Sequence, residues 1–301
     1  MLPPFLRPGD TVAIVAPASW FPYSELADGL HILRNVWHLN VVEGDSLHAI
    51  KGPFAGSDDL RRADLQRFFD DPAIRAVFAA RGGYGCYRIA DDLNLSGLQA
   101  NPKWLVGFSD VTVLLSLLYN HGLASLHGLM PRQFGDPDRA DALESLRQWL
   151  FGESPTHYTV SAHPLNRPGR AQGHLIGGNL TMLSNSIDTP TDLDFNGKIL
   201  FIEDIDETLF SLDRMMTQLR RAGRLARLAG LVVGQFTDMR GNLSLPFGKD
   251  SYEIIADAVA GYDYPVLFDF PAGHVNYNLA LPIGQTVELA VQKKTGRINF
   301  I

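Results

Sequence analysis

Three side chains in this sequence have the types and the chain order of an activated nucleophile. Ser109 stands in Gly107-Phe108-Ser109-Asp110, between an apolar run and a second apolar run of helical length. A strand that turns directly into a helix pushes its central side chain out above the sheet edge. It also aims the first free helix amides at the same point. That suits a nucleophile, because attack on an amide carbonyl makes an oxyanion that needs preorganised donors. The motif is not a complete G-x-S-x-G, since Val111 holds its last position. Capping of the helix by Ser109 or Asp110 is the alternative reading of the same residues.

Glu203 lies in Lys198-Ile-Leu-Phe-Ile-Glu-Asp-Ile-Asp-Glu207, a strand-like run ending in the carboxylates Glu203, Asp204, Asp206 and Glu207. A carboxylate at a strand end can orient a histidine and stabilise its imidazolium. The same four oxygen-bearing side chains could hold a hard cation, or form a solvated acidic loop. His274 falls in Phe270-Pro-Ala-Gly-His-Val-Asn-Tyr-Asn, a turn-rich loop after a strand expected over 266–270. There its imidazole is available as a base near working pH. Serine, acid and histidine thus follow one another at three expected strand ends, the order also found in α/β-hydrolases.

Arg81-Gly-Gly-Tyr-Gly85 follows another apolar run. It is not a dinucleotide fingerprint, and its glycines allow either close backbone approach to a substrate or a plain tight turn. Cys86, beside this loop, has no local feature that would lower its thiol pKa, and is read as a buried structural cysteine.

The elements that must position these groups alternate. Short apolar runs at 11–16, 39–42, 76–80 and 104–106 read as strands, with helical patterns at 25–37, 57–69, 87–93 and after 110. Ser57 or Asp58 can cap the second helix. Alternating strands and helices indicate a parallel α/β sheet. Two proline-bracketed segments then interrupt the pattern between 151 and 170. Beyond them, strands at 199–202, 231–233 and 287–291 and helices near 208–222 and 252–259 read as a mixed α+β domain. The expected organisation is an N-terminal α/β domain over 1–150 with the serine, a connection over 151–172, and a smaller C-terminal domain over 173–301 with the acid and histidine. The active site is expected between the two domains.

Composition excludes several classes. The chain of 301 residues is 46% hydrophobic and 20% charged, an ordinary globular balance. With 26 Lys and Arg against 33 Asp and Glu, the net charge is -7, and no basic run marks a nucleic-acid surface. One cysteine allows no internal disulfide and argues against a cysteine-based zinc site. The first residues lack a signal-peptide pattern, and no stretch approaches the ~20 apolar residues of a membrane span. A soluble cytoplasmic protein is expected.

An ordered set of short motifs spans nearly the whole chain. It comprises Gly9-Asp-Thr-Val-Ala-Ile-Val-Ala-Pro-Ala-Ser19, Phe78-Ala-Ala-Arg-Gly-Gly-Tyr-Gly85, Val106-Gly-Phe-Ser-Asp110 and His127-Gly128. It continues with Gly177-Gly-Asn-Leu180, Gly197-Lys-Ile-Leu-Phe-Ile-Glu-Asp204, Asp213-Arg-Met-Met-Thr-Gln-Leu219, Gly273-His274 and Leu281-Pro-Ile-Gly284. In these the chain resembles the LD-carboxypeptidases, bacterial cytoplasmic serine peptidases of cell-wall recycling that also include the microcin C immunity peptidases. Residues 34–51 and 185–190 depart from the family pattern.

The resemblance implies a catalytic triad of Ser109, Glu203 and His274, with no cofactor and no metal. It implies that the amides of Asp110 and Gly83 receive the oxyanion, and that Arg81, Gly82, Gly177, Gly178 and Asn179 help line the substrate site. The expected substrate is murein tetrapeptide, cut at an L,D amide bond to release D-alanine, with no nucleic-acid or membrane partner. The resemblance leaves a homodimer open. Two other readings stand beside it: an immunity-type peptidase that cleaves an aminoacyl-nucleotide amide, and a catalytically inactive small-ligand binding protein.

Overall fold

A computed structural model describes residues 1–242 and 244–301. In chain order the strands of the first half are β1 (Thr11–Val15), β2 (Asn40–Glu43), β3 (Ile74–Ala79), β4 (Trp104–Gly107) and β5 (Ser125–His127). Those of the second half are β6 (His157–Ser161), β7 (Gly169–Asn179), β8 (Ile199–Ile205), β9 (Gly230–Thr237), β10 (Val266–Leu267), β11 (Leu281–Ile283), β12 (Thr286–Val291) and β13 (Thr295–Phe300). The chain is α/β and divides into two compact units. The first contains Met1–Ser154 with Thr189–Thr191 and Asn276–Gly284; the second contains Pro155–Asp188, Asp192–Val275 and Gln285–Ile301.

The first unit is built on a six-stranded sheet in the order β11-β5-β4-β3-β1-β2. Strands β1 to β5 run parallel and β11 closes the edge antiparallel to β5. Helices cover both faces of such a sheet, so its central strands must be apolar throughout rather than alternating. Val12–Val15 of β1 and Ala76–Ala79 of β3 are accordingly solvent-free. The edge strand β2 instead alternates between exposed and half-buried residues.

The helix Asp58–Asp70 begins where Ser57 Oγ accepts the Leu60 amide at 3.2 Å, and ends at Asp71-Pro72. The helical pattern expected over 25–37 resolves into a 3-10 turn, the short α-helix Ala27–His31 and a wide π turn at Ile32–Val36. The wide turn delivers Trp37 into the core against Phe134 and Phe151.

The second unit holds a seven-stranded mixed sheet in the order β10-β9-β8-β7-β12-β13-β6. The long strand β7 joins its two halves: residues 169–174 pair antiparallel with β12, and Leu175–Asn179 pair parallel with β8. Helices Leu180–Asn185, Leu209–Arg221 and Ser251–Ala258 start at Asn179, Thr208 and Asp250, each of which accepts an orphan amide of the first turn. The strand expected over 266–270 keeps only Val266–Leu267 in the ladder, because Asp269 turns left-handed at φ 62°. Among the described residues no helix is long and apolar enough to cross a membrane.

Candidate active site

In the first unit the residues of interest collect at the carboxyl edge of the parallel sheet. The strand order 2-1-3-4-5 reverses direction between β1 and β3, the kind of switch point at which α/β sheets place ligands, and here the two following loops are tied to each other. The loop after β1 carries Ser19, the loop after β3 carries Arg81 to Gly85, and β4 runs into Ser109. Ser19 N donates to Gly82 O at 3.4 Å, and Tyr84 N donates to Ser19 Oγ at 3.1 Å.

Ser109 adopts φ 63°, a left-handed backbone that a non-glycine residue takes at a cost of about 1–3 kcal/mol. It opens a 3-10 turn, Ser109–Val111, that runs straight into the helix Thr112–Asn120. Phe108 is buried on one side, and Asp110 on the other accepts the Cys86 amide at 2.8 Å. The turn is therefore anchored on both sides while Ser109 itself stays half-buried. A Cβ at Gly82 would lie 3.0 Å from Ser109 Cβ and 3.2 Å from its Oγ, so a bare backbone is required there. Gly83 is exposed, with φ 111°.

Beneath the glycine loop lies a residue that sequence reasoning passed over. Arg61 is fully buried and donates to Pro17 O at 2.6 Å and Gly85 O at 2.9 Å, pinning the loops after β1 and β3 together. The available signal was a cation on the same helical face as Leu65 and Phe68. Cys86 is buried, and burial together with the Asp110 carboxylate pushes its thiol pKa well up, which keeps it protonated.

In the second unit Glu203 and His274 meet. His274 Nδ1 and Glu203 Oε2 stand 2.7 Å apart, and Glu203 is solvent-free. A carboxylate at Nδ1 holds the proton there and leaves Nε2 as the lone-pair nitrogen. The strand expected to end at 202 continues to Ile205, so Glu203 and Asp204 are buried strand residues rather than a solvated loop.

Strand alternation sends Asp204 away from Glu203. Asp204 accepts from Asn179 Nδ2 at 2.8 Å and from Thr181 N and Oγ1 at 3.0 and 2.9 Å. Burial, and then the neighbouring Glu203 charge, push its pKa up to about 6. The four carboxylates do not converge. Among the described residues no group of three or more His, Cys, Asp or Glu is arranged to hold a metal.

A bulge sets this pair. Ile202 faces Val233 and Asp204 faces Phe236, so Gly234 and Gln235 of β9 together oppose Glu203. The same bulge holds the histidine loop, with Gln235 N donating to Ala272 O at 3.0 Å and Gln235 Nε2 to Phe270 O at 3.1 Å. Gly273, at φ 123°, passes so close that a Cβ would stand 2.9 Å from Glu203 Oε2.

The remaining expected residues fall as follows. Gly177 and Gly178 lie in β7, and a Cβ at Gly177 would strike Phe201 O at 2.0 Å. Asn179 is buried; its Oδ1 caps the helix Leu180–Asn185 and its Nδ2 serves Asp204. Arg81 is half-buried and donates from Nη1 to Trp20 O at 2.9 Å.

The profile of the LD-carboxypeptidase N-terminal domain matches residues 12–128, and that of the LD-carboxypeptidase C-terminal domain matches residues 172–289. The chain is 36% identical over 305 residues to a Bacillus subtilis (strain 168) protein named "Probable murein peptide carboxypeptidase", covering 99% of this chain and 94% of that protein. The chain belongs to the LD-carboxypeptidase family.

Two further comparisons place this LD-carboxypeptidase family member among its relatives. The crystal structure of muramoyltetrapeptide carboxypeptidase from Oxalobacter formigenes matches with a TM-score of 0.85 and 28% identity, over 96% of this chain and 98% of that one. The Microcin C7 self-immunity protein MccF of Escherichia coli is 27% identical over 342 residues, covering 98% of this chain and 94% of that protein. The profile matches fall on the two halves that carry, respectively, Ser109 and the Glu203–His274 pair.

Proposed function

We propose that the protein is a serine-type LD-carboxypeptidase that releases terminal D-alanine from murein tetrapeptide in cytoplasmic cell-wall recycling. The observation that carries this is the 2.7 Å bond from buried Glu203 to His274, which leaves Nε2 as a base. Further support comes from the left-handed Ser109 at a strand-to-helix turn, and from relatives named for murein peptides and muramoyltetrapeptide.

In this reading Ser109 Oγ attacks the carbonyl carbon of the L,D amide as His274 Nε2 takes its proton. Glu203 stabilises the imidazolium, and the amides of Asp110 and Gly83 receive the oxyanion. Collapse of the tetrahedral adduct breaks the C–N bond, and His274 returns the proton to the departing D-alanine amine. Water, deprotonated by the same nitrogen, then cleaves the acyl-serine ester and restores Ser109.

The test is mass spectrometry of murein tetrapeptide incubated with wild-type and Ser109→Ala protein, each with and without EDTA. D-Alanine release by wild type alone, unchanged by EDTA, is the expected result. Loss of release in EDTA would point instead to metal chemistry. An untouched tetrapeptide would turn the assignment toward aminoacyl-nucleotide amides, a second reading favoured by the 27% identity to the immunity protein. No turnover of either class would leave a binding protein.

A further inference from the structure

We propose that Arg81 receives the free carboxylate of the substrate's C-terminal residue, and so makes the enzyme cut terminal rather than internal bonds. This rests on the carboxypeptidase reading above and names the subsite on the leaving-group side of the scissile bond.

Arg81 lies in the loop after β3, at the carboxyl edge of the parallel sheet beside the strand-order switch between β1 and β3. Its neighbour Gly82 lies against Ser109, with a virtual Cβ 3.2 Å from Oγ. The guanidinium is half-buried, yet among the described residues no carboxylate pairs with it. Its one hydrogen bond goes from Nη1 to the Trp20 carbonyl at 2.9 Å. The nearby anion, Glu25, is engaged by Arg132, whose own backbone amide donates to Ala80 O next to Arg81. Two cations therefore share one anion, leaving one positive charge without a carboxylate partner on the residue that adjoins Gly82.

Burial and the Arg132 charge both work against that cation and Glu25 works for it, so a carboxylate arriving with the substrate would offset the unfavourable effects. Guanidinium carries five N–H donors in a planar fork, and only one is used here. A carboxylate takes two of them in parallel, and a peptide carboxamide cannot match that charge or geometry. The Trp20 carbonyl holds the guanidinium in place, which limits the side-chain entropy lost on binding.

The experiment compares kcat/KM for murein tetrapeptide and for the same tetrapeptide with a C-terminal carboxamide, in wild type, Arg81→Met and Arg81→Lys. Wild type should prefer the acid by about 10- to 100-fold, the worth of a hydrogen-bonded charge pair. Arg81→Met should bring that ratio toward one, with the loss falling on the acid substrate, and Arg81→Lys should give an intermediate ratio. A wild-type ratio near one, or an unchanged ratio in both variants, overturns the subsite. Thermal unfolding and labelling of Ser109 by a neutral fluorophosphonate report whether each variant is folded; if Arg81→Met is not, the ratio in Arg81→Lys decides. Wild-type cleavage of neither substrate would refute the carboxypeptidase reading itself, and the subsite with it, whereas cleavage with an unaltered ratio removes the subsite alone.

Discussion

Glu203 Oε2 lies 2.7 Å from His274 Nδ1, and the backbone at Gly273 crosses within virtual-Cβ contact of the same oxygen. The histidine is thus presented by a chain segment that could not come this close if residue 273 had a side chain. The β9 bulge at Gly234 and Gln235 holds that segment from the other side. Orientation of the imidazole is built into the backbone, and each component can be tested separately.

Ser109→Ala and His274→Ala should each lower kcat by about 10⁴- to 10⁶-fold, and the double variant should lose little more than either single one. Steady-state kinetics on tetrapeptide would check this. A double variant whose loss equals the product of the two single losses would show that the residues act independently.

Gly273→Ala should cost about 1–3 kcal/mol of stability, from the left-handed φ of 123° and the clash with Glu203. Its kcat should fall by at least about 100-fold, because an ångström of misplacement is that expensive at a reacting centre. Urea unfolding together with kinetics separates the two effects. Wild-type kcat in a folded Gly273→Ala protein would remove the positioning role of this crossing.

Asp204 supplies a pH signature. Its folded pKa of about 6 lies above the unfolded carboxylate value, so the folded state holds its proton more tightly. This contribution to stability is fully present below about pH 4 and is lost as pH rises through 6. Asn at 204 mimics the protonated form. The stability of wild type minus that of Asp204→Asn should therefore fall by about 2–3 kcal/mol between pH 4 and 7. Urea titrations of both proteins across that range measure it, and a flat difference would mean that Asp204 ionises normally.

Cys86 should resist iodoacetamide in the native protein and react once the chain is unfolded, since its thiol is buried and held protonated. Cys86→Ala removes the thiol's interaction with Asp110 but keeps the Cys86 backbone amide that donates to the same carboxylate, so kcat should stay within about threefold. Native labelling that abolishes turnover would reopen a role for the thiol.

Much of this was legible in the residues alone, where the signal is local. The apolar runs at β1, β3 and β4 read as strands because a sheet covered on both faces admits no polar alternation. Ser57 or Asp58 marked a helix start because a cap acts within one turn, and Ser57 is the residue that caps. The turn at Ser109 was visible because strand, glycine and helix adjoin there. Periodicity also separated an N-terminal parallel α/β pattern from a mixed second half.

Folding decided what depends on residues distant in sequence. Glu203 is preceded by an apolar run and followed by three more carboxylates, so nothing local distinguishes a buried strand position from a solvated loop. Only pairing with β7 and β9 buries it, and only the bulge directs it to His274, 71 residues away. Asn179 became a helix cap and a partner of Asp204 because β7 and β8 lie side by side. Arg61 reached Pro17 and Gly85 because β1 and β3 are neighbours in the sheet though not in sequence. Hydrophobic spacing carries the type of each element, but strand order and register arise from burial shared among all of them. For that reason the candidate chemistry could be named from the chain, while the contacts that aim it came from the fold.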